Sequence, residues 1–377
     1  MKIAILGSRG IPAKYGGFET FADGLSQRLV KQGHEVTVSC EYESPDSRLE
    51  DYAGVELEYF PVKPPDSYFL RKFYENLSDI YFLIKLSRHY DLIYFLGIEV
   101  GMFLFIPKLL KRNLQLMVNI DGVMWQRSKF NWMEKSLLKI NHDLATVFAD
   151  TIVADSEEMK SFVHPRYHDK TIYLSYGVDI PPEVPWNAKY LKTLKNYQDN
   201  PLNAHDYFLV IARLEPENNI HTIVEAYARA ETDSPLVVIG DYTSQKYEDE
   251  INKIIKESSG ENIQFLGSVY NKKILDMLRQ NCKAYLHGHS VGGTNPSLLE
   301  AAVCSDTIIA HDNPFNREVC QECALYFQDS SELSQHLENM DLSGENISKD
   351  VFNQVHQEYS WDKISSDYQK VINSLVI

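Results

Sequence analysis

The stretch that decides the fold is Ala284-Tyr-Leu-His-Gly-His-Ser-Val-Gly-Gly-Thr-Asn-Pro-Ser-Leu-Leu-Glu-Ala-Ala-Val303. Its apolar start predicts a buried strand, and the two adjacent glycines predict a turn. Asn-Pro then predicts the start of a helix, because Asn is a favoured cap and Pro at the first helical position loses no hydrogen bond. Such a turn directs free backbone N–H groups to one place, which suits a phosphate.

Glu300 follows this turn by just over one helical turn, so its carboxylate is expected at the rim of the same place. There it can accept hydrogen bonds from hydroxyl groups. The alternative is purely structural: Ser297 and Glu300 form a capping box, and the glycines only turn the chain.

Strand and helix patterns alternate along the whole chain, which predicts an α/β protein with two doubly wound domains on parallel sheets. The predicted strands are Lys2–Leu6, Glu35–Cys40, Val55–Phe60, Leu92–Leu96, Leu116–Ile120, Thr151–Ala154, Ile172–Leu174, Tyr207–Ala212, Leu236–Ile239, Ile263–Leu266, Ala284–Leu286, Thr307–Ala310 and Ala324–Phe327. In such sheets ligands bind outside the carboxyl ends of the strands, so we expect the glycine-rich loops to face a cleft between the domains.

The domain boundaries follow from breaks in this alternation. Residues 1–180 are expected to form a first Rossmann-like domain and residues 207–358 a second one. The polar segment 181–206, which has no clear period, is expected to be a linker or insertion. Residues 359–377 carry a helical apolar stripe and are expected to form a C-terminal helix that packs back on the first domain.

The charge of the chain argues against nucleic acid as its main partner. Its 377 residues include 37 Lys and Arg against 53 Asp and Glu, a net charge of −16. A basic stretch between Lys108 and Lys139 reverses this sign locally. It is interpreted either as a contact with an anionic membrane or as a solvated helix face. No apolar run approaches the ~20 residues that a spanning helix needs.

Two further segments are candidates for binding an anion. Gly16 and Gly17 precede the first helix, where backbone can approach a phosphate closely, although a plain turn explains them equally well. Neither the dinucleotide nor the P-loop fingerprint is met there, so a nicotinamide cofactor is a weak alternative.

Arg213 lies at the end of a predicted strand, where its planar guanidinium group can bind a phosphate. The alternative is a surface ion pair with Glu215 or Glu217.

Three long motifs together resemble a known family. They are the opening Gly7-Ser-Arg-Gly-Ile-Pro-Ala-Lys-Tyr-Gly-Gly-Phe-Glu-Thr20, the middle Asn119-Ile-Asp-Gly-Val-Met-Trp-Gln-Arg-Ser-Lys129, and Ala212-Arg-Leu-Glu-Pro-Glu-Asn-Asn-Ile-His221. With the glycine-rich turn before Glu300, they resemble the GT-B glycosyltransferases of retaining family 4, in particular a bacterial rhamnosyltransferase branch.

The resemblance implies roles for named residues. The first domain would bind the acceptor and the second the nucleotide sugar, with Arg213 on the donor diphosphate and Glu300 on the ribose. The other donor-binding positions are Gly16, Gly17, Asn218, Gly292, Gly293, Thr294 and Asn295. Two positions depart from the wider family: its usual Lys is Asn218 here, and the first Glu of its glutamate pair falls on Gly292.

The reaction is expected to need no metal, because the sequence has no Asp-x-Asp triplet. Arg213 and backbone amides would stabilise the leaving diphosphate instead. Asp121 and Asp155 each end a strand, so either is a candidate to position or deprotonate the acceptor hydroxyl, with a cap or turn role as the alternative. Tyr176 and Trp125 are candidates to contact the acceptor, with core packing as the alternative.

These points predict a cytoplasmic glycosyltransferase, peripheral at the inner face of the membrane, that moves rhamnose from dTDP-rhamnose to a lipid-linked saccharide in surface-polysaccharide assembly. No cofactor is expected. The alternatives are a transferase that uses a UDP-sugar, a GT-B nucleotide-sugar epimerase, and a non-catalytic sugar-nucleotide binding protein. The epimerase would form product without an acceptor, and the binding protein would release no dTDP.

Overall fold

The computed structural model describes residues 1–13, 16–120, 122–127, 130–197, 201–258, 262–343 and 349–375. The chain divides into two compact units. The first consists of Met1–Gly177 with Trp361–Ile377, and the second is Val178–Ser360. The first unit therefore contains both ends of the chain.

Parallel sheets form the centre of both units. In chain order the strands are β1 (Lys2–Leu6), β2 (Glu35–Cys40), β3 (Asp51–Tyr52), β4 (Val55–Tyr59), β5 (Leu92–Leu96), β6 (Gln115–Asn119), β7 (Thr151–Ala154), β8 (Thr171–Tyr173), β9 (Phe208–Ile211), β10 (Leu236–Ile239), β11 (Ile263–Gly267), β12 (Ala284–His287), β13 (Ile308–His311) and β14 (Leu325–Phe327). The first sheet has the order β3-β4-β2-β1-β5-β6-β7-β8, and the second β11-β10-β9-β12-β13-β14. Among the described strands only the β3–β4 pair is antiparallel, and β3 is the strand that the sequence analysis missed.

Helices cover these sheets. They are α1 (Gly17–Lys31), α2 (Tyr68–Leu86), α3 (Ile106–Leu110), α4 (Trp132–Phe148), α5 (Ile220–Arg229), α6 (Gln245–Glu257), α7 (Lys272–Gln280), α8 (Pro296–Ala302), α9 (Pro314–Cys320), α10 (Ser330–Ser343), α11 (Lys349–Tyr359) and α12 (Trp361–Ser374). Because both faces of a parallel sheet are covered, its central strands are rich in apolar residues; all five residues of β5 are apolar and buried.

The strand order decides on which face each helix of the first unit lies. The chain moves from β1 to β2 in one direction along the sheet, and from β4 through β5 and β6 to β7 in the other. Right-handed crossovers therefore place α1 on one face and α2, α3 and α4 together on the opposite face.

The C-terminal helix α12 packs against α1. The ring of Trp361 stacks on Phe21 with the ring centroids 6.0 Å apart, and Arg28 lies 4.7 Å from the Trp361 ring centroid. A Cβ atom on Gly24 would lie 2.2 Å from this ring, and one on Gly177 would lie 2.3 Å from it. Glycine at both positions thus leaves the space that the indole fills.

The segment 181–206, which the sequence analysis expected to be a linker or insertion, lies within the second unit. Its side chains Val184, Leu191 and Leu202 are buried. The backbone N–H of Val184 donates a hydrogen bond to the side-chain oxygen of Gln280, over 2.7 Å. These contacts attach the segment to α7.

Candidate functional site

Predicted donor residues gather at one edge of the second sheet. Strands β9 and β12 are parallel neighbours, with Phe208 paired to Ala284. Their carboxyl ends therefore meet, and the loop that carries Arg213 and Asn218 lies beside the loop that leads to Gly292. This is the edge at which open α/β sheets bind ligands.

Hydrogen bonds join these two loops. Asn218 donates from its amide nitrogen to the backbone oxygen of Arg213 over 2.7 Å, and its amide oxygen lies 2.9 Å from Nδ1 of His289. The backbone N–H and the hydroxyl of Ser290 each donate to the backbone oxygen of Glu217, at 2.9 Å. A lysine has no acceptor atom, so it could not accept a hydrogen bond from a protonated Nδ1 of His289, as the amide oxygen of Asn218 can.

Arg213 pairs with Glu215, which was the alternative interpretation of this residue. Its Nη2 lies 3.1 Å from Oε1 of Glu215; the Glu215 side chain is buried, whereas that of Arg213 is 43% exposed. A guanidinium has five N–H donors, and this ion pair is made through Nη2. The contact with Glu215 orients the guanidinium group of Arg213 and leaves part of it exposed at the edge of the sheet.

The glycine-rich turn has the conformation that the sequence pattern requires. Gly292 has φ of +122°, which favours glycine, and Gly292, Gly293 and Thr294 are all buried. Asn295 caps α8, and its side-chain oxygen accepts hydrogen bonds from the backbone N–H and the hydroxyl of Ser297, both at 2.9 Å. Helix α8 has only seven residues, so the backbone amides of the turn matter more than a helix dipole.

Glu300 does not form the capping box that was the structural alternative, because Asn295 is the cap. Its Oε2 instead lies 2.5 Å from Nη2 of Arg279. Arg279 comes from α7; its side chain is only 3% exposed, and it also contacts Asp276 at 3.6 Å. This buried cation holds the Glu300 carboxylate in place while the Glu300 side chain stays 32% exposed.

Sequence reasoning missed Arg279, and the pattern of α7 explains why. Lys272, Asp276 and Arg279 are spaced as surface charges on a helix commonly are. Nothing in this spacing separates a buried arginine from an exposed one.

A buried histidine lies beneath the same edge. His287, the last residue of β12, is buried, and its ring stacks on Tyr285 with a centroid separation of 6.2 Å. Burial lowers the pKa of His287 to about 3. The imidazole is therefore neutral at pH 7, so His287 does not act as a general acid at this edge.

In the first unit, a carboxylate lies at the helix terminus that was predicted to bind an anion. Gly16, with φ of +109°, precedes α1, which begins at Gly17. A Cβ on Gly16 would lie 2.0 Å from Oε2 of Glu19, and Oε1 of Glu19 accepts from the backbone N–H of Arg9 at 3.0 Å. Burial raises the pKa of Glu19. An anion bound at Gly16 would therefore meet the Glu19 side chain.

The two candidate catalytic carboxylates are Asp121 and Asp155. Asp121 lies outside the described residues. Asp155 follows β7 and is buried. Burial raises the pKa of Tyr368 well above its usual value, and the nearby Tyr94 and Asp155 contribute to this shift. The hydroxyl groups of Tyr94 and Tyr368 lie 3.0 Å apart. Asp155 thus belongs to a buried polar cluster that includes a residue of α12.

The two aromatic candidates for acceptor contact have different surroundings. Tyr176 is buried and packs edge-on against Phe21 with a centroid separation of 5.1 Å, as the core-packing alternative describes. Trp125 is half-buried; its ring lies 4.6 Å from His142 and below Nζ of Lys139 at 5.2 Å. Burial lowers the pKa of His142 to about 4, so Trp125 packs on a neutral imidazole.

Within the described ranges, no group of three or more His, Cys, Asp or Glu residues is arranged to hold a metal ion.

Two family models match the chain, one in each half. Residues 1–179 match a domain of unknown function, DUF1972, and residues 195–333 match the model described as glycosyl transferases group 1. No curated protein has a sequence that matches this chain.

Solved structures share the architecture over nearly the whole chain. The Anabaena protein Alr3699/HepE in complex with UDP is 17% identical, with 99% of this chain and 100% of that one covered and a TM-score of 0.73. Sucrose-phosphate synthase from Thermosynechococcus elongatus is 14% identical, with 99% and 98% covered and a TM-score of 0.78. The lipopolysaccharide outer core galactosyltransferase WaaB, in its apo form, is 16% identical, with 99% of both chains covered and a TM-score of 0.64.

At these identities the likeness shows the fold, which is GT-B with two Rossmann-like domains, as expected from the sequence. Together with the match of residues 195–333 to group 1 glycosyl transferases, this supports a glycosyltransferase of the GT-B class.

The Arg279–Glu300 pair leads to a stability prediction. We expect Arg279→Met to lower the free energy of unfolding by about 3 kcal/mol, because it leaves the Asp276 and Glu300 carboxylates without their buried cation. Lys272→Met is the matched control. Lys272 contacts the same Asp276 carboxylate at 3.2 Å but is 69% exposed, so its loss should cost less than about 1 kcal/mol. Urea unfolding followed by circular dichroism measures both, and equal losses would contradict the role given to Arg279.

Proposed function

We propose that this protein is a retaining glycosyltransferase that transfers rhamnose from dTDP-rhamnose to a saccharide acceptor. The observation that carries the proposal is the gathering of Arg213, the Gly292–Asn295 turn and the anchored Glu300 in one domain, whose sequence matches group 1 glycosyl transferases. The choice of rhamnose and dTDP rests on the resemblance of the long motifs to the rhamnosyltransferase branch.

In this proposal the second unit holds the donor. Arg213 neutralises the diphosphate, and the amides of the turn bind phosphate or sugar oxygens. Glu300 accepts hydrogen bonds from the ribose hydroxyls, and Arg279 keeps its carboxylate in position. Asn218 remains a proposed donor contact, as do Gly16 and Gly17 of the first unit, although the Glu19 carboxylate lies beside Gly16. For Asn218 the contact would come through the loop that it joins to His289, since its side chain is already hydrogen bonded there.

The chemical step exchanges one C1–O bond for another with the configuration at C1 retained. The bond between C1 of the sugar and the β-phosphate oxygen breaks, and its electron pair leaves with dTDP. The acceptor oxygen bonds to C1, and its proton passes to the departing diphosphate or to a carboxylate. Asp121 and Asp155 remain the candidates for that carboxylate. Arg213 lowers the barrier by stabilising the charge that develops on the leaving group.

The acceptor is proposed to be a lipid-linked saccharide in surface-polysaccharide assembly, bound by the first unit. Tyr176 and Trp125 are the proposed aromatic contacts, and the enzyme would work in the cytoplasm at the inner face of the membrane. A UDP-sugar donor is the second candidate, because the structurally similar HepE was crystallised with UDP and with UDP-glucose.

Calorimetric titration with dTDP, UDP, GDP and ADP tests the donor proposal. We expect dTDP to bind most tightly, and dTDP-rhamnose to release dTDP only when a saccharide acceptor is present. Tighter binding of UDP would favour the second candidate. Conversion of the sugar nucleotide to another one without an acceptor would favour an epimerase. If the protein binds dTDP-rhamnose but releases no dTDP with any acceptor, it is a non-catalytic binding protein.

The ribose contact is tested with Glu300→Gln, which keeps an oxygen for Arg279 but removes the charge. We expect the Kd for dTDP to rise about tenfold, as for a lost charge-assisted hydrogen bond worth ~1.4 kcal/mol. Glu322→Gln is the control, because that side chain is 95% exposed in the same unit and should leave the Kd unchanged. If Glu300→Gln binds dTDP as the parent does while keeping its unfolding temperature, Glu300 has no role in holding the ribose.

Metal independence is proposed because Arg213 and the turn amides supply the positive charge at the diphosphate. We expect turnover to persist in excess EDTA, whereas Arg213→Lys should lose rate, because lysine cannot reproduce the bidentate fork. Loss of turnover in EDTA and its recovery with magnesium or manganese would refute this mechanism.

A further inference from the structure

The layer formed by α2, α3 and α4 carries large hydrophobic side chains on its outer surface. We call this surface the apolar face. Its members are Leu70, Phe73, Leu77, Ile84, Phe105, Leu109, Trp132, Met133, Leu137, Ile140 and Val147. The most exposed are Trp132 and Leu109, each at 75%, and Phe73 at 68%. Isolated exposed apolar residues are ordinary, but a group of this size on one layer marks an interaction surface.

On α4 and α2 these residues form stripes. Met133, Leu137, Ile140 and Val147 are spaced by four, three and seven residues, so they lie on one side of α4. Leu70, Phe73, Leu77 and Ile84 follow the corresponding pattern on α2. The opposite sides of the same helices are buried, including Phe82 and Leu83 on α2 and His142 and Ala145 on α4. Helix α2 is thus apolar toward the sheet and also toward solvent, whereas α4 has the polar residues Asn141, His142 and Thr146 on its buried side and large apolar residues on its exposed side.

Contacts between the helices make the stripes one surface. Nζ of Lys72 on α2 lies 3.3 Å from Oε1 of Glu134 on α4. The rings of Phe105, just before α3, and Phe148, at the end of α4, have centroids 5.9 Å apart. Since right-handed crossovers place all three helices on the same face of the sheet, the outer stripes point the same way.

The charge of this region differs from that of the rest of the chain. Residues 68–148 hold eleven Lys and Arg against seven Asp and Glu, although the whole chain is strongly acidic. Within the described residues, six of these cations are paired with carboxylates: Arg71 with Glu41, Lys72 with Glu134, Lys85 with Glu58, Lys108 with Asp150, Lys111 with Asp91 and Lys139 with Asp143. Glu41, Glu58 and Asp150 lie outside this range, and with them the region has eleven cations to ten anions. Charge alone is therefore a weaker attraction to a membrane than the sequence suggested, and the apolar side chains become the main source of affinity. Lys129, part of the same basic stretch, lies outside the described residues.

We propose that the apolar face is the surface by which this protein docks on a lipid bilayer. Trp132, Met133, Leu137 and Ile140 enter the boundary between headgroups and acyl chains, and the basic residues of the layer face anionic headgroups. Interfacial binding combines these two features: buried apolar area supplies affinity, and basic residues add attraction to anionic lipid. Within the described ranges, no helix is long and apolar enough to cross the bilayer, so the contact is peripheral.

A bilayer fits this face better than a second copy of the chain does. In a two-fold dimer the same patch meets itself, so the basic residues of one copy would face those of the other. An anionic bilayer complements both the apolar and the basic residues. The inference rests on the lipid-linked acceptor in the proposed function but not on the identity of the donor.

Sedimentation of the full chain with vesicles tests the proposal. The vesicles contain either phosphatidylcholine alone or phosphatidylcholine with phosphatidylglycerol. We expect the parent protein to bind the vesicles that contain phosphatidylglycerol. It should keep part of this binding at high salt, because salt does not screen the burial of apolar side chains. Leu137→Ser with Ile140→Ser should weaken partitioning at least tenfold, since it removes two inserted side chains without changing charge. The matched control is Leu49→Ser with Val62→Ser, which are 46% and 50% exposed in the same unit but outside the layer, and should partition as the parent does.

A second measurement reports on insertion directly. Tryptophan fluorescence should shift to shorter wavelength on binding and should be quenched by brominated lipid, and Trp132→Phe should remove most of both effects. Absence of vesicle binding by the parent, or equal binding by the α4 double variant, overturns the proposal. A dimer of the parent that the same variant dissociates also overturns it, because the face then joins two copies.

The nucleotide titration on the same samples separates the two proposals. Loss of vesicle binding in the α4 variant, with dTDP binding unchanged, supports docking by this face. If the parent binds vesicles but no nucleotide, the docking surface stands, whereas the donor part of the proposed function fails.

Discussion

The parallel pairing of β9 with β12 is the constraint on which the candidate site depends. It aligns the carboxyl ends of two strands that are more than seventy residues apart in the chain. The loops that follow are then close enough for Asn218 to meet His289 and for Glu217 to accept from Ser290. Gly288 permits this approach, because a Cβ there would lie 2.1 Å from the backbone oxygen of Asn218.

Buried charged residues position the functional groups at this edge of the sheet. Glu215 is buried beside Arg213, and Arg279 is buried beneath Glu300. Each exposed functional group thus has a partner of opposite charge that restricts its rotamers before any ligand arrives. Such restriction lowers the conformational entropy that binding would otherwise cost. The neutral His287 beneath the same edge adds no competing charge.

Prediction from sequence succeeded for elements with strong local patterns. The strands Lys2–Leu6, Glu35–Cys40, Leu92–Leu96, Thr151–Ala154 and Leu236–Ile239 agree in both bounds, because short apolar or alternating runs between polar turns indicate strands. The two-residue strand β3 was missed, since so short a strand has no period. The Ser297–Glu300 capping box was wrong, because Asn295 is an equally good cap two residues earlier and the side chain of Glu300 had a buried partner elsewhere in the fold.

The sequence by itself determined the alternation of strands and helices, the glycine-rich turn and the positions of Arg213 and Glu300, because these depend on neighbours along the chain. Only the tertiary structure decided which partners those residues have. Arg279 is buried and Lys272 exposed on the same helix, and Met133 and Leu137 face outward although they are apolar. The hydropathy of a residue indicates whether its side chain prefers to be buried. Whether the side chain is in fact buried depends on the helices that the sheet places beside it.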